Sequence, residues 1–123
     1  MIIDFHTHLA SHFLGTPLLS LDEFIAGLDR CGVERACVFT LSGFLGETLF
    51  HNEKLAEQSQ KHPDRLIPFV TVDPKKGESA VEELETFLSD PLFKGVKFHS
   101  WLQAFAPSMV RETLTEMLNV LGH

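Results

Sequence analysis

Four short apolar runs, each followed by a segment of helical periodicity, set the limits on what this chain can fold into. The runs occupy residues 2–7, 33–40, 66–72 and 95–99. Behind the first, Ser20 and Glu23 form an S-x-x-E capping box. Leu21, Phe24, Ile25 and Leu28 then recur at i, i+3, i+4 and i+7, and Gly32 supplies a helix stop. A second helix is expected over residues 48–61, ended by Pro63, with Leu49, Phe50, Leu55 and Ala56 as its apolar members. A third is expected over 78–88, with Val81, Leu84, Phe87 and Leu88 on one face and Pro91 behind it. The fourth, over 108–121, carries Val110, Leu114, Met117, Leu118 and Leu121 and ends at Gly122. The order β-α-β-α-β-α-β-α predicts an α/β fold with a parallel sheet and right-handed crossovers. An open doubly wound sheet and part of a (β/α)-barrel both satisfy that order.

Composition narrows the function classes. The chain has 123 residues, 44% of them hydrophobic and 22% charged, which suits one globular domain with a core and excludes a disordered segment. Seventeen acidic residues outnumber ten basic ones, a formal charge of −7, and no Lys/Arg cluster supplies a local basic patch. A partner that tracks nucleic-acid phosphates is therefore not expected. No run approaches the ~18 consecutive apolar residues of a membrane span, so no membrane association is expected either. The opening Met1-Ile2-Ile3-Asp4-Phe5-His6 lacks the basic start of a secretory signal. Cys31 and Cys37 make no disulfide framework, and a cytoplasmic location follows as the expectation.

Parallel strands covered on both faces read as continuous apolar runs. Two of these runs break that rule. By simple alternation Ile3, Phe5 and Thr7 share one face of the first strand, and Asp4, His6 and His8 the other. In the fourth, Val96 and Phe98 oppose Lys97 and His99. The ionisable groups gather toward the C-terminal strand ends, where α/β folds bind ligands. His6 and His8, same-face neighbours roughly 6.5–7 Å apart at Cα, can reach one divalent ion together. The competing reading is two unrelated histidines bonded to backbone groups. Imidazole suits zinc but also iron, copper or nickel, so the pair does not name the metal. Asp4 either orients a ligand histidine or bonds backbone amides. Lys97 is a candidate to carry a metal-bridging carbamate, to pair with a substrate carboxylate, or to be tied to an inner-face acid such as Asp4. His99 reads as ligand, proton shuttle or hydrogen-bond donor, against a satisfied strand-end histidine.

The other features carry less. His12 sits in a loop, where it either lines a cleft or is simply exposed to solvent, and His51 and His62 read as helix-surface residues. Gly43 and Gly46 make a flexible loop with no phosphate-binding signature. Trp101, Gln103 and Phe105 follow the fourth strand and read as a packed loop, with a pocket wall as the alternative.

Ile3-Asp4-Phe5-His6-Thr7-His8-Leu9 resembles the first-strand signature of the amidohydrolase superfamily. The rest resembles the branch often called amidohydrolase 2, which includes decarboxylases and lactone hydrolases. The carrying segments are Gly32-Val33-Glu34-Arg35-Ala36, His62-Pro63-Asp64-Arg65-Leu66, Thr71-Val72-Asp73-Pro74 and Phe93-Lys94-Gly95-Val96-Lys97-Phe98-His99. The resemblance implies a (β/α)8 barrel of the TIM type with a metal site in its C-terminal mouth. His6 and His8 match the first two metal ligands, and Lys97 and His99 are the candidate catalytic residues. It further implies a divalent metal, with zinc the one expected. The substrate class is small molecules: a carboxylate, lactone, ester or amide, hydrolysed or decarboxylated.

A complete barrel of this kind takes about 250 residues. The four βα units within residues 1–123 are therefore expected to be its first half, one partial domain, inactive in isolation. The family's later histidines and aspartate have no counterpart here. Two alternatives compete. One is a non-catalytic half-barrel that pairs with a second copy into a homo-oligomer. The other is a phosphoesterase of the TatD or PHP type, which shares an early H-x-H.

Overall fold

The Ser20 capping box forms as the sequence indicates. The Ser20 hydroxyl accepts from the Glu23 backbone N–H, and the Glu23 carboxylate accepts from the Ser20 N–H at 2.9 Å. The Ser20 hydroxyl also donates to that carboxylate at 2.7 Å, and this bond, with the one from the Ser20 N–H, pulls the Glu23 carboxyl below its ordinary pKa. At the other end of the helix Gly32 takes a left-handed φ of 66°. The Val33 N–H then reaches the Leu28 carbonyl at 2.9 Å and the Gly32 N–H the Asp29 carbonyl, a Schellman stop.

The computed structural model describes residues 1–10 and 12–122. The chain runs β1 (Ile3–His8), a short hairpin of β2 (His12–Phe13) and β3 (Thr16–Pro17), then α1 (Leu21–Arg30) and β4 (Arg35–Phe39). It continues through α2 (Thr48–Ser59), β5 (Leu66–Pro68), α3 (Glu78–Leu88) and α4 (Arg111–Leu121). β1, β4 and β5 form one parallel sheet in that order. The β2–β3 hairpin is antiparallel and turns through Leu14 and Gly15, both at positive φ. No hydrophobic alternation marks it, and the sequence reading treats it as loop.

The third and fourth strands are shorter than their apolar runs. Beside β5, residues 94–97 occupy the place of a fourth parallel strand. The Lys94 N–H bonds the Pro68 carbonyl, Val70 N–H the Gly95 carbonyl and Lys97 N–H the Val70 carbonyl, at 3.0, 2.8 and 2.7 Å. Beyond Val70 two buried side-chain amides replace the strand ladder. Asn52 from α2 receives the Thr71 N–H and donates to the Thr71 carbonyl, at 3.0 and 2.8 Å. Gln103 donates to the Val72 carbonyl at 2.8 Å. Backbone polar groups cannot be left unpaired in a core, and here side chains satisfy them.

α2 differs from its sequence reading for the same reason. Leu49 and Phe50 are exposed, while Thr48, Asn52, Leu55 and Ser59 are buried. Thr48 and Asn52 both bond the Glu83 carboxylate of α3, so a mainly polar face can pack inward. The main core lies between the sheet and the helices. Ala36, Val38, Leu66, Val70 and Val72 meet Leu28, Leu55, Ala80, Leu84 and Met117 there. The architecture is an arc of parallel β/α units whose barrel is not closed, with β1 and residues 94–97 as its flanks.

Candidate active site

The C-terminal ends of the strands bring His6, His8, Lys97 and His99 together over an aromatic floor. Phe39, at the end of β4 and 2% exposed, lies beneath the His6 and His8 rings at centroid distances of 5.2 and 4.6 Å. The Lys97 ammonium stands 4.8 Å from the centre of the same ring, a cation–π contact. Phe44 adjoins both His8, at 6.3 Å, and His99, at 5.5 Å. The two H-x-H rings are 5.4 Å apart.

Simple alternation along β1 does not hold. Asp4 pairs with Ala36 and Thr7 with Val38, so three steps on β1 match two on β4 and a β-bulge separates them. The Asp4 carboxylate accepts the His6 backbone N–H at 3.0 Å and closes that bulge. Asp4 thus takes the backbone-bonding role of its two readings. Phe5 packs edge-on to Phe69 at 5.8 Å, and Phe69 lies against Gly95, on the face that Lys97 shares. Phe5 is therefore on the histidine side of the sheet, opposite to the placement that alternation predicts. The extra residue re-aims the strand.

Phe39 and Phe44 were not legible as site residues. Phe39 hides in a run that reads as ordinary core, and only its position at a strand C-terminus points to the mouth. Phe44 sits in the loop read as flexible, which is instead a packed 3-10 turn over Ser42–Leu45. Gly43 makes that turn possible: a Cβ there would come within 2.5 Å of the Thr40 side chain, and its N–H bonds Thr40 Oγ1 at 3.1 Å. His12 and His51, far apart in sequence, line one small cavity with Thr40, Ser42 and Lys54.

Electrostatics at the site favour a neutral His8. Burial, then the nearby His6, Lys97 and His99, push its pKa down to about 4. Among the described residues, none of the four groups has a carboxylate at ion-pair distance, so Lys97 is not tied to Asp4. A lowered histidine pKa means the unfolded chain takes up a proton first. Stability contributed by neutral His8 is present above pH 6.5 and declines as pH falls toward 4. The decline is up to about 1.4 kcal/mol per pH unit before solvent screening at the part-exposed ring reduces it. In the metal-free protein, an NMR titration of His8 should give a midpoint near 4. A midpoint at the model-peptide value would show that the neighbours do not act on it.

The pair fits a divalent cation as a partial donor set. His8 Nδ1 is buried without a hydrogen-bond partner among the described residues, and neutral imidazole is the ligand form. Among the described residues no group of three or more His, Cys, Asp or Glu could hold an ion. A groove of about 1030 Å³ between α3 and α4 is lined by Glu78, Glu82, Glu85, Glu112 and Glu116 and contains none of the candidate site residues. No helix is long and apolar enough to cross a membrane among the described residues.

An arc of parallel β/α units with its ionisable side chains at the strand C-termini is the architecture of part of a (β/α)-barrel. A family model described as amidohydrolase, of the amidohydrolase 2 branch, matches residues 3–122, and the chain belongs to that family. It is similar to the 5-carboxyvanillate decarboxylase of Novosphingobium aromaticivorans, solved with manganese and 3-methoxy-4-hydroxy-5-nitrobenzoic acid. That match has a TM-score of 0.71 and 27% identity, and covers 85% of this chain and 33% of the other. A probable 2-pyrone-4,6-dicarboxylic acid hydrolase of Acinetobacter baumannii, solved with citric acid, matches at a TM-score of 0.70 and 22% identity, over 97% of this chain and 46% of that one. The 2,6-dihydroxybenzoate decarboxylase of Rhizobium matches at 0.72 and 17%, over 97% and 47%. These last two bear on the fold alone. The chain spans about a third to a half of the length of these relatives. No curated protein matches the sequence.

Proposed function

We propose that this chain supplies the first part of the active site of a divalent-metal-dependent decarboxylase or hydrolase acting on small carboxylates. One observation carries the reading. In a chain of net charge −7, His6, His8, Lys97 and His99 converge on Phe39 and Phe44 with, among the described residues, no carboxylate paired to any of them. Such a cluster suits an anionic substrate beside a cation.

His6 and His8 would hold the metal, with the remaining donors outside this segment. Zinc fits the two imidazoles, and manganese is the ion in one structural relative. When bound, the ion would serve as a Lewis acid, polarising a substrate oxygen or acidifying water. Lys97, steadied over the Phe39 ring, would bind the substrate carboxylate. That contact serves either outcome: it orients the group to be lost in decarboxylation, or anchors the substrate while an ester or lactone opens. His99 would donate a hydrogen bond to a substrate oxygen. Phe39 and Phe44 give these groups an apolar floor, which would strengthen each polar contact.

The test is turnover by the intact protein, stripped of metal with a chelator and reloaded with manganese or zinc. Hydroxylated benzoates report decarboxylation and dicarboxylate lactones report hydrolysis. We expect activity on one class, abolished by stripping and restored by reloading. A fully loaded protein inert toward both classes would sink the proposal.

A further inference from the structure

The polar side chain most completely used near the site is Gln103, 3% exposed, in the turn that follows residues 95–99. Its Oε1 accepts the His99 backbone N–H at 2.8 Å, and its Nε2 donates to the Val72 carbonyl at 2.8 Å. Its own N–H donates to the His99 carbonyl at 2.9 Å, and its carbonyl accepts from the Lys75 ammonium. The amide cannot be flipped without setting donor against donor at His99 and acceptor against acceptor at Val72. Gln103 therefore clamps the backbone of His99 from both sides and ties it to the segment that continues beyond β5.

The clamp shapes the turn, and the turn reaches the imidazole. Within it Ala104 adopts a left-handed φ of 52°, Phe105 N–H bonds the Ser100 carbonyl at 2.9 Å, and Leu102 N–H points at His99 Nδ1 at 3.3 Å. A ring nitrogen that accepts an N–H cannot carry a proton of its own. In the neutral ring the proton then sits on Nε2, whose lone pair is no longer free to bind a metal. His8 is the opposite case, with a buried Nδ1 that has no hydrogen-bond partner among the described residues.

We propose that Gln103 is the positioning residue for His99, and that the turn it anchors holds the imidazole as the Nε2–H tautomer, a hydrogen-bond donor to substrate rather than a metal ligand. Only the words "to substrate" rest on the function proposed above; the tautomer is a property of this chain's own turn.

The experiment is long-range ¹H–¹⁵N NMR on the histidines of the intact protein, with metal content and steady-state kinetics measured alongside. Wild type should show His99 as a single Nε2–H tautomer whose signals do not move on metal loading beyond those of non-ligating histidines. Gln103→Met keeps the side-chain volume but removes both amide bonds. It should admit the second tautomer and lower kcat/KM about 10- to 100-fold, with metal stoichiometry unchanged. Gln103→Glu, kept protonated by its burial, retains the acceptor for the His99 N–H and a donor toward the Val72 carbonyl, and should recover much of the single-tautomer signal. A wild-type His99 protonated on Nδ1, or one that ligates the metal, overturns the proposal. So does a folded Gln103→Met protein whose tautomer is unchanged. Should Gln103→Met fail to fold, the wild-type spectrum and Gln103→Glu decide. A correct tautomer in a protein with no turnover would refute the proposed function and leave this inference standing.

Discussion

Replacing His6 and His8 together by alanine in the intact protein should abolish divalent-metal binding and lower turnover by on the order of a thousandfold or more. A Lewis acid contributes several kcal/mol to the stabilisation of developing charge, and about 4 kcal/mol corresponds to a factor of 10³. The expectation rests on the bulge closed by Asp4, which lets both rings lean on Phe39 with their centroids 5.4 Å apart. Neutral His8 needs no deprotonation to act as a ligand near pH 7, since its pKa lies near 4. Elemental analysis of the purified protein, set beside the turnover assay, checks this. Unchanged stoichiometry in the double variant would remove both residues from the metal site. His6 is exposed and outside the core, so its single substitution should cost little stability while still weakening metal binding.

Phe39→Ala should be the most destabilising substitution at the mouth, by about 3–5 kcal/mol, as for other buried phenylalanines truncated in a packed interior. The ring is 2% exposed and touches His6, His8 and Phe44, with the Lys97 ammonium over its face. Its loss would leave a cavity below four site groups, so weaker metal binding should accompany the stability loss. Urea unfolding measures the first effect and metal titration the second. Phe39→Leu, which fills much of the same volume, should cost far less. A Phe39→Ala protein within 1 kcal/mol of wild type would show that the floor does not carry the site.

The four βα units were legible because each helix announces itself locally. Ser20 with Glu23 starts α1 and Gly32 stops it, and both devices are present as read. The histidine pair and the lysine–histidine pair were legible as exceptions to the apolar composition of parallel strands. Less visible was the second helix, where Leu49 and Phe50 suggested the wrong face. Its true inward face is polar and makes sense only beside Glu83 and the Thr71 backbone, which are distant in sequence.

Local patterning alone, then, determined the α/β alternation and the parallel sheet, and singled out His6, His8, Lys97 and His99 as candidates. Those properties depend on residue type and short-range spacing, which the chain carries in linear order. Tertiary structure alone decided that a bulge turns Phe5 to the histidine side, that Phe39 and Phe44 floor the site, and that Asn52 and Gln103 finish the sheet where backbone pairing stops. Each of those depends on which backbone groups and which volumes remain unfilled once distant segments meet, a quantity that no single stretch of the chain contains.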